Sequence, residues 1–411
     1  MNNETKKGKL VPELRFPGFE GEWDYVNGNE LFEPISNKEH DSDLPILALT
    51  QEQGAVPRDE INYKVIVSDK SIASYKVVEV DDFIISLRSF QGGIEYSRYK
   101  GLCSPAYIVL RKKNKNLCSD FYRIYFKSFN YIQELNKKLE GIRDGKMISY
   151  KQFSEIKLPV PSLPEQQKIA ECLSSVDNLI QAEADQLQAL KDHKKGLMQQ
   201  LFPISNEQLA MSNGNPRIPR LRFPGFEGEW EEKKLGEVCN VVDDKCDIGS
   251  LTIVTYISTE NMLQDFEGVK IASKLPNSGS FTQFNKGDIL FSNIRPYLKK
   301  VWQAVFDGAA SNDVIVFRTL DGYDRLFVSQ VIKSDRFIAL SMSGAKGVKM
   351  PRGDKKMMLD YLFSIPSLPE QQKIAECLSS LDDLIAAQQE KVEALKEHKK
   401  GLMQKLFPTI N

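Results

Sequence analysis

A 41-residue segment occurs twice in this chain, and that repetition constrains its architecture more than any other feature. Residues 163–203 read LPEQQKIAECLSSVDNLIQAEADQLQALKDHKKGLMQQLFP and residues 368–408 read LPEQQKIAECLSSLDDLIAAQQEKVEALKEHKKGLMQKLFP, identical at 30 of 41 positions. A shorter segment also returns: PELRFPGFEGEW at 12–23 and PRLRFPGFEGEW at 219–230, identical at 11 of 12 positions. The offsets are 205 and 207 residues. The chain therefore runs short motif, body, long segment, and then the same order again. The bodies, 24–162 and 231–367, are nearly equal in length but much less alike in sequence. A repeated scaffold carrying two divergent bodies predicts two similar modules with different targets.

The 41-residue copies read as helices. Leu-Pro-Glu opens each, at 163 and 368, with Pro and an acidic residue in the first turn, which suits a helix N-terminus. Pro203 and Pro408 follow the ends. Alternating steps of four and three from Ile169 give Leu173, Val176, Ile180, Glu183, Leu187, Leu190, Lys194, Leu197 and Leu201. The same frame from Ile374 gives Leu378, Leu381, Ile385, Gln388, Val392, Leu395, Lys399, Leu402 and Leu406. Eight of ten places are apolar in each frame, and the polar exceptions coincide. That is a coiled-coil seam. At ~1.5 Å per residue each helix is roughly 55–60 Å long, and a seam of that length needs a partner. The simplest partner is the other copy, paired antiparallel about a pseudo-twofold axis, with the bodies at opposite ends of a rod. His193 and His398 fall in Lys-rich stretches and are expected to cap the helix C-termini. Cys172 and Cys377, at matching places, are expected to be buried, inert thiols. Residues 204–220 are polar with Gly and Pro and read as a linker.

The bodies share a frame. Val77 to Leu87 and Asn285 to Ile294 each read as a turn feeding a strand, with Asp82 matching Asp288 and Ser86 matching Ser292. Gly101 to Arg111 matches Gly308 to Arg318. The stretches beginning at Arg88 and Arg295 diverge. A common frame with different polar loops is what two recognition modules of different specificity need. The 55 Lys and Arg against 56 Asp and Glu leave a net charge of −1, which excludes binding of nucleic acid by bulk charge. The total hides a pattern. Residues 24–82 hold 5 basic and 13 acidic residues, whereas 83–162 hold 15 and 6. In the second body, 231–288 holds 6 and 10, and 289–367 holds 12 and 7. Both modules are acidic first and basic second, so a basic face within each is expected.

With 411 residues, 41% hydrophobic, the composition is that of an ordinary globular chain of two or three domains. No apolar run approaches the ~18 residues of a membrane span. Met1 to Leu10 lacks the apolar stretch of a secretory signal, so a cytoplasmic location with reduced thiols is expected. The 6 Cys and 3 His form no C-x-x-C pair and no zinc spacing. Phosphate-loop, G-x-S-x-G and H-E-x-x-H motifs are absent. No catalytic residue, metal ligand or cofactor is assigned to this chain.

On these motifs the chain resembles the specificity (S) subunit of type I restriction–modification systems. The resemblance is carried by the duplicated Leu-Pro-Glu-Gln-Gln-Lys-Ile-Ala segments at 163 and 368 and by the Leu-Arg-Phe-Pro-Gly-Phe openings at 14 and 221. The Gly-Asp-Ile-Leu strand at 287 and its Asp-Asp-Phe-Ile relative at 81 add to it. It covers nearly the full length. It implies an α+β chain with two similar globular target recognition domains, separated by two long antiparallel coiled-coil helices, in a pseudo-twofold internal repeat. The expected divisions are 1–162 (N-terminal segment and first recognition domain), 163–203 (first spacer helix), 204–220 (linker), 221–367 (second recognition domain) and 368–411 (second spacer helix). It further implies a non-catalytic subunit that reads a bipartite, asymmetric double-stranded DNA target. Two methyltransferase (M) subunits, binding S-adenosylmethionine, and two restriction (R) subunits, using ATP and Mg, would assemble with it, away from any membrane. The competing reading is a coiled-coil scaffold joining two protein- or carbohydrate-binding modules, and the basic second halves favour DNA.

Base edges are read by Arg, Lys, Asn and Gln, whereas phosphate contacts position the protein. Loop-placed polar residues in the basic segments are therefore the DNA-binding candidates. In the first module these are Arg88, Ser89, Gln91, Arg98, Arg143, Lys146, Tyr150 and Lys151. In the second they are Asn293, Arg295, Tyr297, Lys299, Lys346, Lys349 and Arg352.

Overall fold

The computed structural model describes residues 10–41, 43–51, 53–61, 72–86, 93–139, 148–203, 217–247, 249, 251–343 and 351–408. Its contacts divide the chain into two units, residues 1–182 with 392–411, and residues 183–391. Among the described residues no helix is long and apolar enough to cross a membrane.

In the first unit a short ribbon closes the body on itself. Asp24–Asn27 pairs antiparallel with Lys157–Val160, so the body's first and last strands are neighbours. The main sheet runs Phe32–Ile35, Ile108–Lys112, Phe83–Ile85, Ile94–Tyr96, antiparallel throughout. Alternation along the strands sends Phe83 and Ile85 to one face and Ile84 to the other. The first face meets an aromatic core of Phe121, Tyr122, Tyr125, Phe126, Tyr131 and Phe153 from the helices that follow the sheet. Ile84 and Val109 pack instead with Leu47, Ala55 and Val78.

The second unit repeats the plan. Glu231–Lys234 pairs with Leu362–Ile365. The main sheet runs Cys239–Val241, Val314–Thr319, Ile289–Ser292, Val301–Gln303. Ile289, Phe291, Ile315 and Phe317 face Phe327, Val328, Val331 and Phe337. Leu290 and Val316 face Ile257, Met262 and Phe284. In both sheets a strand from the acidic half of the body pairs with one from the basic half, so the two halves interleave and do not form separate lobes.

The long segments are continuous helices, Leu163–Leu201 and Leu368–Leu406. Within each unit they cross antiparallel. In the first, Ile169 and Leu173 share a core with Leu406 and Phe407, and Leu402 packs against it. In the second, Leu201 shares a core with Ile374 and Leu378. The seam positions are all buried or half-buried. Their polar exceptions are paired. Lys399 donates to Asp177 at 2.5 Å in the first unit, and Lys194 to Asp382 at 2.6 Å in the second, which are the same contact under the repeat. Gln388 donates to the Glu183 carboxylate at 2.6 Å and to its carbonyl at 2.9 Å. These two residues occupy equivalent places, so the repeat maps this contact onto itself. Buried polar pairs of this kind fix register in a seam that leucines alone would leave free to slide.

Two expectations are corrected here. His193 and His398 are exposed residues more than a turn inside their helices and do not cap the ends. The last carbonyls are met instead by backbone: Leu221 N donates to Gln200 O and Leu14 N to Lys405 O, both at 3.0 Å. Cys172 and Cys377 are half-exposed, and the fully buried thiols are Cys103 and Cys239, each pushed up to about 12 by burial.

The structure also explains why the two repeated segments recur together. Arg15 forks onto both carboxylate oxygens of Glu165, at 2.8 and 2.9 Å, and Arg222 does the same with Glu370 at the same distances. Gln166 and Gln371 each donate to the proline carbonyl before their helix, at 2.8 Å. Each also accepts a backbone N–H from its own module, Cys118 or Asp324, at 2.9 Å. The Arg of the short motif and the Glu-Gln of the helix start thus form one joint, present twice.

Candidate nucleic-acid interface

The divergent loops hang on an identical frame. Arg111 forks onto Asp82 at 2.8 and 2.7 Å, and Arg318 onto Asp288 at 3.0 and 2.7 Å. Each buried carboxylate also accepts the N–H that opens its turn, from Glu79 at 2.8 Å and Asn285 at 2.9 Å. These are charge-assisted, bidentate contacts, the strongest available to a turn. Next along each strand, Ser86 N donates to Gly93 O at 2.8 Å, and Ser292 N to Lys300 O at 3.0 Å. The two bonds close equivalent turns, the second around the loop 293–299; residues 87–92, between Ser86 and Gly93, lie outside the described residues.

Arg88, Ser89, Gln91, Arg143, Lys146, Lys346 and Lys349 lie outside the described residues. In the first module Arg98 is exposed just beyond the strand Ile94–Tyr96, and Lys151 is exposed on the short helix Tyr150–Ser154. Tyr150 donates its hydroxyl to the Phe32 carbonyl at 3.1 Å and packs on Phe153. Burial raises that hydroxyl above its ordinary pKa. The structure thus commits it to the fold's backbone.

The second module brings its described candidates together. Arg295 and Lys299 bracket the tight turn Pro296–Leu298, both left-handed, with φ of 52° and 51°. A neighbouring loop holds Asp265 and Phe266 with φ of 51° and 65°. The loops are bonded to each other, Asp265 N to Leu298 O at 3.1 Å and Phe266 N to Lys299 O at 3.0 Å. Four of the five described non-glycine residues with positive φ therefore sit in this one pair of loops. Such backbone costs of order 1–3 kcal/mol per residue and gathers where a site is built.

Around that turn the side chains are placed by specific bonds. Tyr297 stands half-exposed at its tip. Lys299 reaches Asp335 at 2.8 Å. Ile294 bridges antiparallel to Arg352, whose guanidinium meets Asp313 at 2.8 Å, and Arg295 N donates to Pro351 O at 2.9 Å. Asn293 Oδ1 and Arg295 Nε are buried with no hydrogen-bond partner among the described residues.

Two cations here escaped the sequence reading. Lys300, one residue beyond the loop, donates to Thr259 O at 2.7 Å. Burial lowers its pKa, and the nearby charges of Lys270 and Arg295 lower it further. Lys270 belongs to the same turn as Thr259. Its N–H donates to Asn261 O at 2.8 Å, and buried Asn261 donates back to Lys270 O at 3.0 Å. Sequence gave no signal for Lys270, which lies 25 residues before Arg295 and joins the site only through this turn. Among the described residues, no group of three or more His, Cys, Asp or Glu is placed to hold a metal ion.

A pair of modules that share a rigid frame and present different polar loops belongs to the class of duplicated recognition proteins. The family model described as "Type I restriction modification DNA specificity domain" matches residues 22–192 and 227–397, and the chain belongs to that family with two DNA specificity domains. It is 25% identical over 436 residues to the type I restriction enzyme MjaVIII specificity subunit of Methanocaldococcus jannaschii, covering 99% of this chain and 95% of that protein. It is 23% identical to the putative MjaX specificity subunit of the same organism, over 93% of this chain and 88% of that one. In fold it is similar to the S subunit of a type I restriction–modification system from M. genitalium, with a TM-score of 0.57 and 14% identity over 98% of this chain and all of that one. It is also similar to a chain from a structure of complex assembly and conformational transition in a type I R-M system, with a TM-score of 0.53 and 15% identity over 97% of this chain and 100% of that one. DNA specificity therefore stands over the reading as a scaffold for protein- or carbohydrate-binding modules.

Proposed function

We propose that this chain is the non-catalytic, sequence-reading subunit of a type I restriction–modification complex, each module reading one half of a bipartite, asymmetric double-stranded DNA target. The carrying observation is the paired hairpins. Their frame is the same Asp–Arg fork and the same closing bond, while the loops differ in length and, apart from an arginine in each, in sequence. Gly93 stands where the second module has Lys300. Modules that differ at their loops give half-sites that differ, hence a target without palindromic symmetry.

The reading includes two methyltransferase subunits on one specificity chain. Exposed apolar side chains at repeat-equivalent places support it: Leu14 and Leu221, each 41% exposed, Val11 and Ile218, and Leu179 and Leu384. Apolar residues left uncovered twice over suit two copies of one partner. S-adenosylmethionine belongs to those subunits. ATP and Mg belong to two restriction subunits. The complex works in the cytoplasm, where host DNA is. Co-expression with a partner methyltransferase, followed by mapping of methylated adenines in the host genome, tests this. A two-part motif that depends on this chain is expected, and methylation that is indifferent to the chain would overturn the reading.

A further inference from the structure

We propose that Lys270, Lys300 and Arg295 of the second module form a binding site for one phosphate of the DNA backbone, an anchor that holds the duplex without reading it. This rests on the reading of the chain as a DNA specificity subunit.

The surrounding cations show what is unusual about these three. Arg318 is matched by Asp288, Lys299 by Asp335 and Arg352 by Asp313. Among the described residues no carboxylate forms an ion pair with Lys270, Lys300 or Arg295. They are held together all the same. The bond from Ser292 N to Lys300 O closes the loop that carries Arg295. The Lys300 ammonium is tied to Thr259 O, in the turn that Asn261 clamps to Lys270. Thr259 takes one of the three ammonium protons, which leaves the others to point at a ligand. Arg295 adds a buried Nε–H with no acceptor among the described residues. Like charges held close and partly desolvated disfavour the folded state unless an anion joins them.

The chemistry of the set selects phosphate over a base edge. Base reading favours planar forks that match two acceptors at once, and two of the three groups here are lysines. A lysine ammonium is a compact point charge, suited to the diffuse charge of a phosphate. The exposed tip of the hairpin, Tyr297, is a separate element and remains for the groove. The register also makes the anchor particular to the second module, because Gly93 replaces Lys300 in the first.

The test uses the full chain assembled with its methyltransferase subunits. K270Q, K300Q and the double variant are titrated with two duplexes, one carrying the methylated motif and one with that motif scrambled, across about 50 to 200 mM salt. The double variant should weaken both duplexes by the same factor, roughly three- to tenfold, and lower the slope of log affinity against log salt by about 0.9, the share of one phosphate, with each single variant giving part of both changes. The methylated motif should be unchanged. Weakening confined to the motif duplex, with one base position relaxed in the methylation map, would make these residues readers and overturn the anchor. Unchanged affinity and slope in an intact complex would make them solvated charges and overturn it as well. A wild-type complex whose methylation shows no sequence dependence would instead remove the specificity reading itself.

Discussion

The joint between short motif and helix start should be the most fragile polar contact in each unit, and Arg222→Leu tests it. Glu370 keeps only 2% of its side chain exposed and Arg222 16%. The guanidinium makes two bonds to the carboxylate and two more to the carbonyls of Glu227 and Gly228. Removing it leaves a buried carboxylate without its counter-charge. Breaking a buried pair in this way costs roughly 3–5 kcal/mol. Glu370 lies in the first turn of its helix, where the dipole returns about 0.3–1 kcal/mol, so a loss of about 2–4 kcal/mol is expected. For a unit of this size that lowers the melting midpoint by roughly 5–12 °C. Calorimetry or denaturant unfolding reads it, following whichever transition moves if the chain unfolds in more than one step. Arg15→Leu should cost a similar amount, because its fork onto Glu165 has the same geometry. The double variant Arg222→Leu with Glu370→Leu should recover more than half of the loss, since it buries no orphaned charge. A loss under about 0.5 kcal/mol in both single variants would refute the claim that this joint explains the paired repeats.

Replacing Leu190 and Leu395 together by Asp puts carboxylates into the seam and should abolish co-purification of methyltransferase subunits. A monodisperse complex that survives would sink the coiled-coil account. Gly308→Ala would drive a methyl into Thr255 O, and Gly101→Ala would place one 2.6 Å from Pro45 O, so each should lose about 1–3 kcal/mol in an unfolding titration. Lys391 and Gln388 hold the Glu183 carboxylate below its ordinary pKa. Its contribution to stability is therefore present above the unfolded value and lost as pH falls through the lowered one, and Glu183→Gln should flatten the acid limb of a stability-against-pH curve.

The parts legible in the sequence were those written by local periodicity or by duplication. The seam from Ile169 to Leu201 and from Ile374 to Leu406 is buried or half-buried at every position because a four-three step of apolar residues admits few other arrangements. The turn-and-strand matches at Asp82 and Asp288 were visible, but their partners Arg111 and Arg318 were visible only as matched positions and not as forks. The polar seam residues stand out in the sequence only as matched exceptions. Their roles depend on residues in the other helix, Asp177 and Asp382, which no local pattern points to. The histidines were misjudged because a Lys-rich stretch resembles a helix end, while the helices continue to Leu201 and Leu406, where backbone from the short motif takes the last carbonyls. Choosing cations by loop position picked out Arg295 and Lys299. It passed over Lys270 and Lys300, whose grouping depends on the Asn261 clamp and on two left-handed loops meeting. Such long-range pairings leave no periodic trace in a single sequence.

The central claim is that a shared frame carries loops that each specify their own half of a DNA target. It is tested most directly by exchanging one loop and reading the methylation pattern. Residues 293–299 would be replaced by the sequence of 87–92, and the complex with its methyltransferase subunits used to map methylated adenines. The account predicts that one half of the two-part motif changes while the other half and the spacing stay as they were. An unchanged motif from an intact complex, or a change in both halves, would contradict it.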